Sequence, residues 1–102
     1  MYNIPDYSFV HNSRRHKSGG GVGIYVKNNI SFIDRVDLRL SETLCESIFI
    51  EIPQTDGKNI VVGVIYKPPD VNISQFTEAF DTIISKLVYW KINIFILWVI
   101  IT

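Results

Sequence analysis

Asn59-Ile60-Val61-Val62-Gly63-Val64-Ile65-Tyr66 is apolar at nearly every position, and Lys67-Pro68-Pro69-Asp70 follows it directly. β-Branched residues dominate the run, and two prolines, which have no N–H to give to a ladder, close it, so the stretch reads as a strand that stops there. Continuous apolarity suits a strand covered on both faces better than one with a wet face. Upstream, Ser47-Ile48-Phe49-Ile50-Glu51-Ile52 is a second strand. The connection between the two carries Pro53 and Asp56-Gly57, which are turn residues, so the strands are expected to pair. Downstream, Asn72 with Gln75 three residues on forms a capping-box pattern, and Phe76, Phe80, Ile83, Ile84 and Leu87 recur at helical spacing. That spacing predicts a helix over residues 73–89. After Trp90-Lys91, the stretch Ile92-Asn93-Ile94-Phe95-Ile96-Leu97-Trp98-Val99-Ile100-Ile101 is the most apolar of the chain. It falls short of the roughly 20 residues needed to cross a bilayer and reads as a buried strand from about residue 93.

Nearer the N-terminus, His11-Asn12-Ser13-Arg14-Arg15-His16-Lys17-Ser18 is the only basic cluster, and it runs into Gly19-Gly20-Gly21-Val22-Gly23. Gly23-Ile24-Tyr25-Val26-Lys27 is β-rich and Asn28-Asn29 is a turn signal. Residues 22–27 and 30–38 are therefore expected to form a hairpin. The whole is one α/β domain at most. Its 102 residues balance ten Lys and Arg against ten Asp and Glu, which excludes a polybasic protein without excluding a local basic patch. A single cysteine, Cys45, rules out an internal disulfide and a cysteine-based zinc site, and is expected to be a small buried apolar residue. The first residues lack the basic region and apolar run of a secretory signal.

The glycine run lacks the Gly-Lys-Ser/Thr ending of a phosphate loop and precedes a strand, so it suits a place where backbones approach closely. His11 and His16 have no partner at metal-ligand spacing and read as surface residues. The carboxylates are scattered, at Asp34, Asp37, Glu42, Glu46, Glu51, Asp56, Asp70, Glu78 and Asp81; most read as turn or surface charges, although Glu46 precedes a strand and could face a cleft. Arg14, Arg15 and Lys17 are candidates for phosphate contact, Arg through its planar donor fork and Lys as a point charge. A solvated surface loop is the competing reading. Tyr66 stands at a strand end, where sites form in α/β proteins, and its phenol could donate to a phosphate oxygen or simply cap the core.

Taken in order, Tyr7 with Arg14 and Arg15, Gly19-Gly20-Gly21-Val22-Gly23-Ile24-Tyr25-Val26, Glu46-Ser47-Ile48-Phe49-Ile50-Glu51-Ile52, Val62-Gly63-Val64-Ile65-Tyr66-Lys67-Pro68-Pro69 and Phe76 opening a helix resemble one family. It is the endonuclease/exonuclease/phosphatase domain of the reverse-transcriptase polyproteins of non-LTR retrotransposons, of the jockey-like kind. The resemblance implies a DNase I-like α/β sandwich, two sheets face to face with helices outside, and a magnesium-dependent site that nicks DNA to prime reverse transcription. By position, Tyr66 matches the tyrosine that approaches the scissile phosphate. Arg14, Arg15, Lys17 and Lys67 would then contact the substrate.

The departures from the family pattern are as informative. The metal-binding asparagine and glutamate of the family fall upstream of Met1, and its closing aspartate and histidine fall beyond Thr102. Its Gly-Asp-aromatic-Asn block is replaced by Trp98-Val99-Ile100-Ile101-Thr102. Residues 1–102 are thus expected to be one partial domain, a fragment of the sandwich that retains no metal ligand and no Mg2+ and does not cleave DNA itself. The parent would act on DNA in the nucleus or cytoplasm, with no membrane and no small-molecule cofactor. A frameshift accounts for the departure at the end. If Leu97 ends in A and the next codons are TGG GTG ATT ATA ACN, reading from the third base of the Leu97 codon gives ATG GGT GAT TAT AAC, or Met-Gly-Asp-Tyr-Asn. The alternative from a different class is a small non-catalytic module that binds nucleic acid or protein through the basic loop 11–18.

Overall fold

The computed structural model describes residues 3–12, 21–55, 57–90 and 92–101. The elements run β1 (Tyr7–Asn12), β2 (Val22–Lys27), β3 (Ile33–Asp34), a 3-10 turn (Val36–Leu38), β4 (Glu46–Ile52), β5 (Ile60–Lys67), α1 (Ile73–Tyr89) and β6 (Asn93–Ile101). β1 and β2 form an antiparallel ribbon, and the other strands form a mixed sheet in the order β3-β4-β5-β6. β4 and β5 are antiparallel, with Glu46 opposite Tyr66 and Ile52 opposite Ile60. β6 lies parallel to β5, as a strand returning through a crossover helix does.

Period-two alternation sorts β4 and β5 into two faces. Phe49, Val61 and Ile65 join Leu38, Leu40, Cys45 and the helix residues Phe76, Ile83 and Leu87 in one core. Ile48, Ile50 and Val62 turn the other way, against Val10, Val22, Ile24 and Val26 of the ribbon. The layers are therefore helix, four-stranded sheet and two-stranded ribbon, and the α/β character read from the sequence holds. β5 is central, between β4 and β6. Its glycine has a packing reason: a Cβ at Gly63 would stand 2.7 Å from the Phe49 ring, which lies across the strand at that point. The N-terminus of α1 is capped as its sequence suggests, Asn72 Oδ1 accepting from the Ser74 N–H at 2.8 Å and the Gln75 N–H at 3.2 Å.

The expected hairpin of residues 22–27 with 30–38 does not form. β2 pairs instead with β1, Tyr7 opposite Lys27 and Asn12 opposite Val22. The Asn28-Asn29 turn exists, with the Ile30 N–H on the Lys27 carbonyl at 2.9 Å, but it hands the chain from the ribbon to the larger sheet. There β3 makes two residue pairs with β4 before Leu38 and Leu40 drop into the core beneath α1. The two leucines gain more by burial than an extended ribbon would give them, since a fully buried aliphatic side chain is worth about 1.5–3 kcal/mol.

Candidate functional site

Five strand ends meet at one end of the two sheets. Antiparallel pairing brings Glu46, the first residue of β4, opposite Tyr66 near the end of β5, and parallel pairing brings Ile100 of β6 beside Tyr66 on the other side. The ribbon is tied to the same place. Asn12 Nδ2 donates to the Ser47 carbonyl at 2.9 Å, and the Gly21 N–H donates to Glu46 Oε2 at 3.0 Å. Gly21 has φ 115°, a backbone that side-chain-bearing residues rarely adopt, so a glycine suits the point where the chain turns to meet Glu46.

Tyr66 and Glu46 are direct cross-strand neighbours on the face that looks toward the ribbon; Tyr66 is half-buried and Glu46 is 5% exposed. Side chains so paired have Cβ atoms about 4.5–5.5 Å apart. Glu46, expected just before the strand, is its first residue and is buried on the ribbon side. Lys67, named with Tyr66 from the sequence, is separated from it by the sheet: alternation turns it to the helix side, where it is 4% exposed and its Nζ donates to the Pro68 carbonyl at 2.9 Å. Arg14, Arg15 and Lys17 lie outside the described residues, as does His16. Their two points of attachment, Asn12 and Gly21, are the residues bonded to the opening of β4. His11 is exposed, and its ring stacks on Phe9 with centroids 5.5 Å apart.

Chemically, this end offers a phenol, one buried carboxylate already accepting a backbone N–H, and the two residues, Asn12 and Gly21, that flank the basic stretch in the sequence. Among the described residues no three His, Cys, Asp or Glu side chains converge as metal ligands. Of the described carboxylates, Glu46 is the one paired directly across the sheet from Tyr66.

A second polar cluster occupies the opposite end of β4. Arg35 donates to Glu51 through Nη1 and to Asp37 through Nε at 2.9 Å and Nη2 at 2.8 Å, and Asn59 Nδ2 donates to Glu51 Oε2 at 2.8 Å. The guanidinium carbon lies 5.6 Å from the centre of the Trp90 ring, which links the cluster to the end of α1. The Asn59 amide, then Arg35, holds the Glu51 carboxyl below its ordinary value, and Arg35 does the same to Asp37. The guanidinium is stabilised in turn, first by Asp37. Glu51, expected at the surface, is 8% exposed. The signal was its parity, which in β4 matches inward-facing Phe49 and Ser47.

Comparison with protein-family models, with curated proteins and with solved structures finds no match to this chain.

Proposed function

We propose that residues 1–102 form the middle of a DNA-nicking domain of the endonuclease/exonuclease/phosphatase type from a non-LTR retrotransposon, a remnant that keeps phosphate-facing strand ends and does not hydrolyse DNA by itself. The observation that carries the reading is the convergence on Tyr66. The Tyr-Lys-Pro-Pro strand is central to a sheet that faces a second sheet, and the two residues flanking the basic loop are bonded to the strand opening opposite Tyr66. β6 also ends beside Tyr66, which is where the Gly-Asp-aromatic-Asn block of the resembled family would fall. In this reading Tyr66 donates its phenol hydrogen to a phosphate oxygen and Arg14, Arg15 and Lys17 supply charge to the DNA backbone. Catalysis is not assigned to these residues, because a metal and a base must prepare the attacking water and the described residues hold no group of three His, Cys, Asp or Glu that could bind the metal.

The test is plasmid nicking. Purified chain incubated with supercoiled DNA and Mg2+ is expected to leave the plasmid supercoiled. Conversion to open circle that disappears in Tyr66→Phe would show an active nuclease and overturn the remnant reading.

A further inference from the structure

The outer face of the β1–β2 ribbon takes no part in the site at Tyr66. Val10, Val22, Ile24 and Val26 point inward to Ile48 and Ile50, so alternation places Tyr7, Phe9 and His11 of β1 and Gly23, Tyr25 and Lys27 of β2 on the opposite face. In register, Tyr7 opposes Lys27, Phe9 opposes Tyr25 and His11 opposes Gly23. The Phe9 ring centre is 4.6 Å from that of Tyr25 and 5.5 Å from that of His11, the latter pair inclined by only 16°. Gly23 makes room for this, since a Cβ there would come within 2.5 Å of the Phe9 ring. Phe9 therefore lies down over the glycine. Tyr7, His11 and Lys27 are exposed, and Phe9 and Tyr25 are half-exposed. The helix packs on the far side of the larger sheet, so no described element covers this face.

An open ribbon face ordinarily carries polar side chains, and this one carries three aromatic rings and an imidazole. Lys27, opposite Tyr7, adds a cation to this face, and none of its six residues is an Asp or Glu. Aromatic faces laid along a strand beside the Lys27 cation, with no carboxylate among the residues of the face itself, match the chemistry of unpaired bases on a phosphate backbone. Double-stranded DNA keeps its base faces stacked inside and offers nothing for the rings to cover. We propose that this face binds single-stranded nucleic acid, with bases stacking on Phe9, His11 and Tyr25 and a backbone phosphate on Lys27. The proposal is independent of the nuclease reading, because it uses the side of the ribbon turned away from Tyr66.

Fluorescence anisotropy of the full chain with labelled twelve-nucleotide strands tests it, using oligothymidylate, oligouridylate, an abasic strand and a duplex of the same length. Either base-bearing strand is expected to bind at least about tenfold more tightly than the abasic strand or the duplex. Tyr25→Leu and His11→Ala are each expected to weaken binding about tenfold, within the range that loss of one stack gives. Photocrosslinking of a 5-iodouracil strand to the unaltered chain needs no variant to fold, and is expected to mark Tyr7, Phe9, His11 or Tyr25. Equal binding of the abasic strand, crosslinks confined to other elements, or self-association of the chain that Tyr25→Leu abolishes would each overturn the proposal.

Discussion

Glu51 is nearly buried at the end of β4, and its two partners account for its charge: the Asn59 amide and the Arg35 guanidinium each donate to one carboxylate oxygen. A carboxyl held below its unfolded value contributes stability that is present above that value and is lost as pH falls through the folded one. For Glu51 the contribution is complete above its ordinary value of 4.5 and declines as the medium becomes more acidic. Glu51→Gln is expected to lower stability at neutral pH by about 2–4 kcal/mol, since it leaves Arg35 half-paired in a partly buried place. It is also expected to flatten the loss of stability on the acid side. Urea unfolding at pH 7 and pH 3 measures both, and an unchanged acid limb in the variant would contradict the assignment. Legibility at this scale follows parity and neighbours. That Tyr66 and Glu46 lie at strand ends could be read from the sequence, but their pairing across the sheet could not. Nor could the clamp around Glu51, because Arg35, Asn59 and Trp90 are brought to it only by the fold. Lys67 and Tyr66 are neighbours in the sequence, and alternation along the strand turns them to opposite faces of the sheet.

Among the elements, α1 owes its start to a single side chain. Asn72 satisfies two N–H groups that the first helical turn leaves without intrahelical acceptors. Asn72→Ala is expected to cost about 1 kcal/mol and Asn72→Ser much less, as read from thermal unfolding followed by circular dichroism. Equal losses in the two variants would show that the cap does not act through its side-chain oxygen. β4, β5, α1 and β6 were legible because each carries its signal within its own residues: β-branched runs, a cap and a helical period. β1 and the segment after β2 were not. Ser8, His11 and Asn12 dilute the strand pattern of β1, which becomes a strand only through its pairing with β2. Residues 30–38 hold an extended pattern interrupted by Asp34, Arg35 and Asp37, and the ion pairs of those residues bend the segment toward β4 and the core.

For the whole molecule, the border of the four-stranded sheet is the feature that decides how the chain behaves in solution. β6 is the last strand of its sheet among the described residues, and its sequence from Asn93 to Ile101 has no charged side chain. An apolar border strand without charge is a template for further pairing. The isolated chain is therefore expected to self-associate, with sedimentation velocity showing large species that grow with concentration. A soluble monomer with a sharp thermal transition would count against the fragment reading. The proposal at the centre of the account, that these residues belong to a DNA-nicking domain whose reading frame shifts after Leu97, is tested most directly by the nucleotide sequence of the reading frame and its flanks. The expected result is a frame, opened at the third base of the Leu97 codon, that spells Met-Gly-Asp-Tyr-Asn and continues into endonuclease-like sequence, with the missing asparagine and glutamate blocks encoded upstream. A shifted frame without the Gly-Asp-Tyr-Asn codons, or one that closes at once, would contradict it.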